Sequence, residues 1–222
     1  MFTTETLYIF SNSYLNFYLY TLPAVVLAKF FQKKVIINFH GGSALDFLAK
    51  RIHTPSRWIL EIADVLTVPS SYLREVFRDF GYQPTVIPSV LDLQRFTFKK
   101  RERLSPNFIV TRHLEPEYNI TMVIKAFAEA RKKYPEAKLT ICGDGSQRQS
   151  LQKFSSELGL DSAVAFLGNV ENEKIAELYQ QSDIFLNGSG VDNLPVSILE
   201  AFACGLPVVT TRAEGILYIV ED

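Results

Sequence analysis

Short β-branched runs alternate with amphipathic helical stretches over most of the chain, and this alternation leaves few folds open. Residues 35–39 read as a buried strand that ends at His40-Gly41-Gly42, and residues 63–68 contain a second. Ser70 is placed to cap a helix running to about Phe80, Gly81 to end it, and residues 85–87 to form another short strand. Residues 95–103 are basic, have no clear period and lead into Pro106. The pattern then restarts. Strands are expected at 107–111, 138–142, 163–167, 183–186 and 207–210, with helices at 120–133, 147–158, 173–180 and 195–204 between them. Strands separated by helices imply βαβ crossovers and a parallel sheet. Ligands of such sheets sit beyond the carboxyl ends of the strands, which selects the loops at His40, Arg112, Gly143, Asn187 and Thr211.

The chain has 222 residues, 47% of them hydrophobic, enough for one sizeable core or two small ones. The aperiodic basic run is the best candidate for a linker, so the expected domains are 1–103 and 104–222. Two or three strands precede it, fewer than a complete doubly wound domain has, and the last element stops at Asp222 where a further helix is expected. The chain therefore reads as a truncated or divergent copy of something longer, with an incomplete N-terminal domain; a compact variant is the alternative.

A formal net charge of -1 excludes a whole-molecule field that would draw in nucleic acid. Cys142 and Cys204 lie far apart and read as buried free thiols. The start, MFTTETLYIF, lacks the pattern of a signal peptide. Residues 19–31 are apolar but interrupted by Pro23 and Lys29, short of the ~20 residues a membrane-spanning helix needs. A buried helix from near Pro23 is expected there. The alternative is a membrane-facing patch of Phe17, Tyr18, Tyr20, Phe30 and Phe31 beside Lys29, Lys33 and Lys34.

Two acids, Asp192 and Glu200, bracket a helix start. Asp192 lies in the loop near the helix N-terminus, where an anionic ligand is also favoured. Glu200 has apolar neighbours on both sides, so its carboxylate needs donors, which sugar or ribose hydroxyls would supply. A simple cap and a solvent-facing glutamate are the plainer readings. Gly143-Asp144-Gly145 follows a strand and precedes a helix, where glycines permit close backbone approach to a phosphate or base. The turn lacks the spacing of a dinucleotide or P-loop site, so hydride transfer and ATP hydrolysis lose ground. Arg112, at the end of strand 107–111, could pair with a diphosphate or with the nearby Glu115 or Glu117. His40 could meet a sugar hydroxyl or orient an acceptor, whereas His53 and His113 show no comparable context. Three scattered histidines make a protein-held metal site unsupported, and no esterase or metalloprotease motif occurs.

With these residues in view, the chain resembles retaining glycosyltransferases of family 4. That resemblance implies an α/β fold with two facing Rossmann-like domains, the GT-B type. It runs from about Tyr8 to Asp222 and is strongest over 139–145, 164–170 and the stretch containing DNLPVSILEAFACGLPVVTTRAEG. It implies that Glu200 holds the nucleotide ribose, Asp192 contacts the donor sugar, and Arg112 steadies the diphosphate. Gly143, Gly145 and Gly215 would lie by the nucleotide, and His40 on the acceptor side of the cleft. The reaction implied is transfer of a sugar from a nucleoside diphosphate to the hydroxyl of a glycan or lipid-linked acceptor with retained configuration. It needs no cofactor or metal, and takes place in the cytoplasm or peripherally at the inner face of the membrane. A decayed binding remnant and a sugar-nucleotide epimerase are the alternatives. Two departures stand out. Tyr118 and Asn119 occupy about the places of a Lys-Gly pair whose lysine neutralises the leaving group. Glu214 stands where the family has a glycine, adding an acid near the phosphates.

Overall fold

The computed structural model describes residues 4–51 and 55–220; His53 lies outside them. By contacts the chain divides into two compact units. One comprises Met1–Ser89, Val191–Leu194 and Glu214–Asp222, the other Val90–Gly190 and Pro195–Ala213.

In the first unit, strands β1 (Thr6–Ser11), β2 (Lys34–Phe39), β3 (Val65–Val68) and β4 (Thr85–Val86) form a parallel sheet in the order β1-β2-β3-β4. Helices α1 (Leu22–Phe30), α2 (Ala44–Arg51), α3 (Pro55–Ile62) and α4 (Ser71–Asp79) flank it. The Ser70 side chain accepts the Leu73 N–H at 3.1 Å and caps α4. Gly81, at φ +86°, takes the left-handed conformation that ends it. Phe39, Phe47 and Phe77 are fully buried, with ring centroids 5.9 Å (Phe39–Phe47) and 5.1 Å (Phe39–Phe77) apart. This aromatic cluster bonds β2 to α2 and α4 through the hydrophobic effect, which supplies about 1.5–3 kcal/mol per buried side chain.

The sheet has four strands rather than the two or three read from the sequence. The strand not anticipated is β1, at the sheet edge. Its polar start and its exposed Tyr8 and Phe10 disguise the pattern of a buried run. Helices α2 and α3 were also not expected. The helix near Pro23 is present as α1, preceded by a π-helical turn at Phe17–Thr21. Of the aromatic residues considered for a membrane patch, Phe17 belongs to the core, while Tyr20, Phe30 and Phe31 are exposed. Lys29 pairs with Asp64 at 2.6 Å. Among the described residues no helix is long and apolar enough to cross a membrane.

In the second unit, strands β5 (Asn107–Thr111), β6 (Lys138–Cys142), β7 (Val164–Gly168), β8 (Ile184–Asn187) and β9 (Val208–Thr210) form a parallel sheet ordered β7-β6-β5-β8-β9. Helices α5 (Ile120–Lys133), α6 (Arg148–Glu157), α7 (Asn172–Gln181) and α8 (Val196–Ala203) connect them. Val110, Ile124, Phe127, Leu139, Ile141 and Leu151 make the core under α5 and α6. The two parallel sheets flanked by helices are those of a two-domain GT-B-like α/β fold. In the second sheet the chain builds outward from β5 to β7, then crosses back to β8 on the other side. The carboxyl ends of β5 and β8 therefore flank the topological switch point.

The basic segment between the sheets is tied to the second unit by a buried cation. The Arg101 side chain is 3% exposed and makes five hydrogen bonds to backbone carbonyls. They reach Tyr179 and Ser182 at the end of α7, Cys204 at the end of α8, and Lys99. Helix C-termini leave carbonyls without intrahelical donors, and the planar five-donor guanidinium suits a cluster of them.

Candidate functional site

A cavity of about 330 Å³ opens at the carboxyl edge of the second sheet. Its walls come from the ends of β5 (Thr111, Arg112, His113) and β6 (Cys142, Gly143), the loop after β7 (Asn169, Val170), and α7 and α8. Arg95 and Phe96 close one side. It lies where parallel-sheet topology predicts a ligand.

Glu200 projects into this cavity from α8. Its Oε2 accepts a 2.9 Å hydrogen bond from the Tyr179 hydroxyl, whose oxygen lies 2.7 Å from Thr111 Oγ1. Desolvation pushes the Glu200 pKa above the ordinary carboxylate value, while the Tyr179 bond and the charges of Arg95 and Arg112 pull it back. An acid that is partly buried, held from one side and facing a polar cavity has acceptor lone pairs to offer a ligand's hydroxyls. A solvent-facing glutamate, the plainer reading, is not what the structure contains.

Arg112 is steadied by the strand ends. Its Nε donates to Asn187 Oδ1 at 3.2 Å, and Asn187 Nδ2 donates in turn to Thr210 Oγ1 at 3.0 Å. One side-chain chain thus runs across the ends of β5, β8 and β9. The Ser189 hydroxyl also donates to Asn187 Oδ1 at 2.9 Å. The guanidinium carbon lies 5.3 Å from the centroid of the Tyr118 ring, a cation–π contact. Tyr118, at the place of the missing lysine, therefore supplies no charge of its own but packs against one. Asn119 sits at φ +46°, ψ +48°, a left-handed position immediately before α5. Asparagine tolerates that region better than other side chains, which explains why it can stand where a glycine is usual. Glu115 bonds both the N–H and the hydroxyl of Ser146.

The glycine turn contributes by packing. A Cβ at Gly143, whose φ is +139°, would fall 1.9 Å from the Arg112 carbonyl oxygen. Its N–H is already bonded to the Gly168 carbonyl at 2.7 Å, and the Gly145 N–H to Asp144 Oδ1 at 2.9 Å. The expectation that these amides approach a phosphate is thus not the arrangement seen. Gly143 lets β6 come close to the loop carrying Arg112, and it lines the cavity, whereas Gly145 does not.

His40, Asp192 and Gly215 fall in the first unit. The His40 carbonyl accepts from Asn193 Nδ2 at 2.9 Å, and the Asp192 carbonyl from the Gly215 N–H at 2.9 Å. Desolvation lowers the His40 pKa below its ordinary value and so favours the neutral imidazole. Its buried Nε2 has no hydrogen-bond partner among the described residues. The Glu214 carboxylate is occupied by the Tyr72 hydroxyl, whose own ionisation is suppressed by burial and by that carboxylate. The acid foreseen as a repulsive neighbour of phosphate is therefore already bonded.

Sequence reasoning missed several lining residues. His113 lines the cavity although it had no suggestive context, and Ser197, whose buried hydroxyl has no partner among the described residues, faces it from α8. Tyr179 was hidden because a tyrosine on an amphipathic helix reads as core. The signal for Ser197 was its place three residues before Glu200, nearly one helical turn away.

The glycosyl transferases group 1 family model matches residues 94–222, and the glycosyltransferase family 4 model matches residues 14–95. A GDP-mannose-dependent alpha-(1-6)-phosphatidylinositol monomannoside mannosyltransferase of Mycolicibacterium smegmatis is 30% identical over 210 residues, 86% of this chain and 55% of that protein. A glycogen synthase of Mycobacterium tuberculosis is 26% identical over 207 residues, covering 87% and 50%. The chain thus spans about half the length of these curated relatives. Among solved structures, HepE of Anabaena in complex with UDP-glucose aligns with a TM-score of 0.78 at 19% identity, covering 98% of this chain and 62% of that one. Sucrose-phosphate synthase of Thermosynechococcus elongatus aligns at 0.77 and 19%, covering 96% and 58%. The family match takes in both sides of the cavity, from Arg95 through Arg112 to Glu200, and extends over more than half of the residues. The chain belongs to the glycosyl transferases group 1 family.

Proposed function

We propose that this chain carries the donor-binding machinery of a glycosyltransferase that moves a sugar from a nucleoside diphosphate to an acceptor hydroxyl with retained anomeric configuration. The observation that carries the reading is the meeting of Glu200 and Arg112 in one cavity of the second unit. A carboxylate suited to vicinal hydroxyls and a guanidinium suited to a diphosphate match the two polar ends of a nucleoside diphosphate.

In this reading Glu200 accepts the ribose hydroxyls, Gly143 keeps the cavity floor close to the nucleotide, and Arg112 faces the diphosphate. Gly145 supports that turn from behind. Asp192 and Gly215 serve the donor sugar and phosphates, and His40 the acceptor side. The bond from the anomeric carbon to the diphosphate oxygen breaks while the acceptor oxygen forms its bond on the same face. The departing phosphate oxygen takes the acceptor's proton, so charge and atoms balance without a protein nucleophile. Arg112, held by Asn187 and Tyr118, stabilises the negative charge that develops on the leaving diphosphate. Residues 104–222 are proposed as the donor domain and 1–103 as the acceptor-side domain. The acceptor class we assign is a glycan or a lipid-linked acceptor, the latter in keeping with the name of the mycobacterial mannosyltransferase, and the place of action the cytoplasm or the inner face of the membrane.

Tyr118 in place of a cation favours a second reading, binding without turnover. Calorimetric titration with UDP, GDP and ADP tests the first step. One of them should bind, and Glu200→Ala should weaken it about tenfold or more; equal affinities remove Glu200 from the site. Hydrolysis of the matching sugar nucleotide then separates an enzyme from a binding remnant.

A further inference from the structure

The tyrosine behind Glu200 has a task that packing alone does not require. Tyr179 is fully buried, wedged between Phe96 (ring centroids 6.3 Å) and Phe185 (6.0 Å). Its backbone carbonyl is held by Arg101. A phenylalanine would fill that volume equally well, yet a hydroxyl is present, and it points at the carboxylate that Glu200 brings to the cavity. Tyrosine has a single hydroxyl proton. If that proton goes to Glu200 Oε2, the bond to Thr111 must run the other way, with the Thr111 hydroxyl donating to the tyrosine oxygen. The order Thr111 to Tyr179 to Glu200 is then fully directed, with every donor used.

We propose that Tyr179 is a positioning residue for nucleotide recognition: it holds one oxygen of Glu200 so that the remaining lone pairs face the cavity. The proposal rests on the reading of Glu200 as the ribose acceptor. The hydrogen bond also favours the ionised carboxyl, against the desolvation that favours the neutral one. The charged and titratable groups around Glu200 are Arg95 beside α7, Arg112 at the end of β5, His113 in the same cavity wall, and Cys204 at the end of α8; Cys142 on β6 acts on Tyr179. His113 is common to wild type and every variant below, so a limb that moves between them reports on Glu200. Burial raises both thiol pKa values, that of Cys142 to about 12, so neither thiol ionises near neutrality.

The sign of the pH effect follows. Ribose hydroxyls donate to the ionised carboxylate, so affinity is lost as pH falls through the Glu200 pKa. Removing the tyrosine hydroxyl raises that pKa further and moves the acid limb of binding to higher pH. The experiment is calorimetric titration of the 222-residue protein from pH 5 to 8 with whichever of UDP, GDP and ADP binds, using wild type, Tyr179→Phe, Thr111→Val, Thr111→Ser and Glu200→Gln. Tyr179→Phe should bind about tenfold more weakly near pH 6, with its acid limb displaced upward. Thr111→Val should show a smaller displacement in the same direction, and Thr111→Ser, which keeps the hydroxyl, should restore the wild-type limb. An unchanged affinity and an unchanged limb in Tyr179→Phe, with Glu200→Gln weakened, overturns the positioning role alone. Failure of Glu200→Gln to weaken binding, or binding of none of the three nucleotides, overturns the ribose reading and this proposal with it. If Tyr179→Phe does not fold, Thr111→Val decides by whether its limb moves.

Discussion

Arg101→Met should cost this protein several kcal/mol, although the carbonyls it bonds belong to residues outside the cavity lining. The substitution keeps an unbranched stem and removes a buried charge with its five hydrogen bonds. Each bond to a charged group is worth about 1.5–3 kcal/mol, but the five are not additive. Two of the carbonyls keep another donor: Cys204 O accepts from the Lys99 N–H at 3.3 Å, and Tyr179 O from the Ser182 N–H at 3.3 Å. The Ser182 carbonyl loses two guanidinium donors, Asp183 loses a cation 3.8 Å away, and Asn107 Nδ2 still reaches Asp183 at 3.2 Å. Removing one member of a buried charged cluster typically costs about 3–5 kcal/mol, and that is the expected loss here. For a chain of this size it corresponds to about 6–20 °C in Tm. Urea titration followed by circular dichroism measures it, with Arg101→Lys expected to lie between, since an ammonium keeps the charge but cannot span carbonyls on two helices. A Met variant within about 1 kcal/mol of wild type would refute the reasoning, because it would show that desolvating the guanidinium costs as much as its bonds return.

Two further substitutions probe the backbone under the cavity. Gly143→Ala should destabilise the protein by about 3 kcal/mol, from left-handed strain and a Cβ 1.9 Å from the Arg112 carbonyl, and should weaken nucleotide binding by displacing Arg112. A crystal structure of the variant with Arg112 unmoved, together with unaltered calorimetry, would count against it. Asn119→Gly should be neutral within about 0.5 kcal/mol, whereas Asn119→Ala should cost about 1 kcal/mol, because only the first relieves the φ of +46°. Equal melting temperatures for the two variants would contradict that account.

How much of this was legible beforehand differs between the two halves. In the second, the strands 107–111 and 138–142 and the helix 120–133 appear as expected, because the strands are apolar runs of a buried parallel sheet and the helix carries its apolar stripe over 14 residues. In the first, β1 and the helices α2 and α3 escaped notice. An edge strand need not be apolar on both faces, and helices of 8 residues give barely two turns over which a period can be read, even with Phe47, Ile59 and Leu60 in the core. The site divides the same way. Arg112 and Glu200 were found because a charged residue next to a strand end, or among apolar neighbours, stands out in one dimension. His113, Ser197 and Tyr179 did not stand out, since each is an ordinary residue until another element is folded against it.

The amino-acid order alone therefore determined that this is a parallel α/β chain, and selected the loops at the carboxyl ends of its strands, where the second sheet has its cavity. Period and loop position are local properties, written within a few residues of one another. Tertiary structure decided which donors the key groups already have. The Gly143 amide is spent on the Gly168 carbonyl, Glu214 belongs to Tyr72, and Tyr179 turns its hydroxyl to Glu200. Hydrogen-bond partners lie up to 153 positions apart in the chain, and only folding brings them within the 3 Å at which they act.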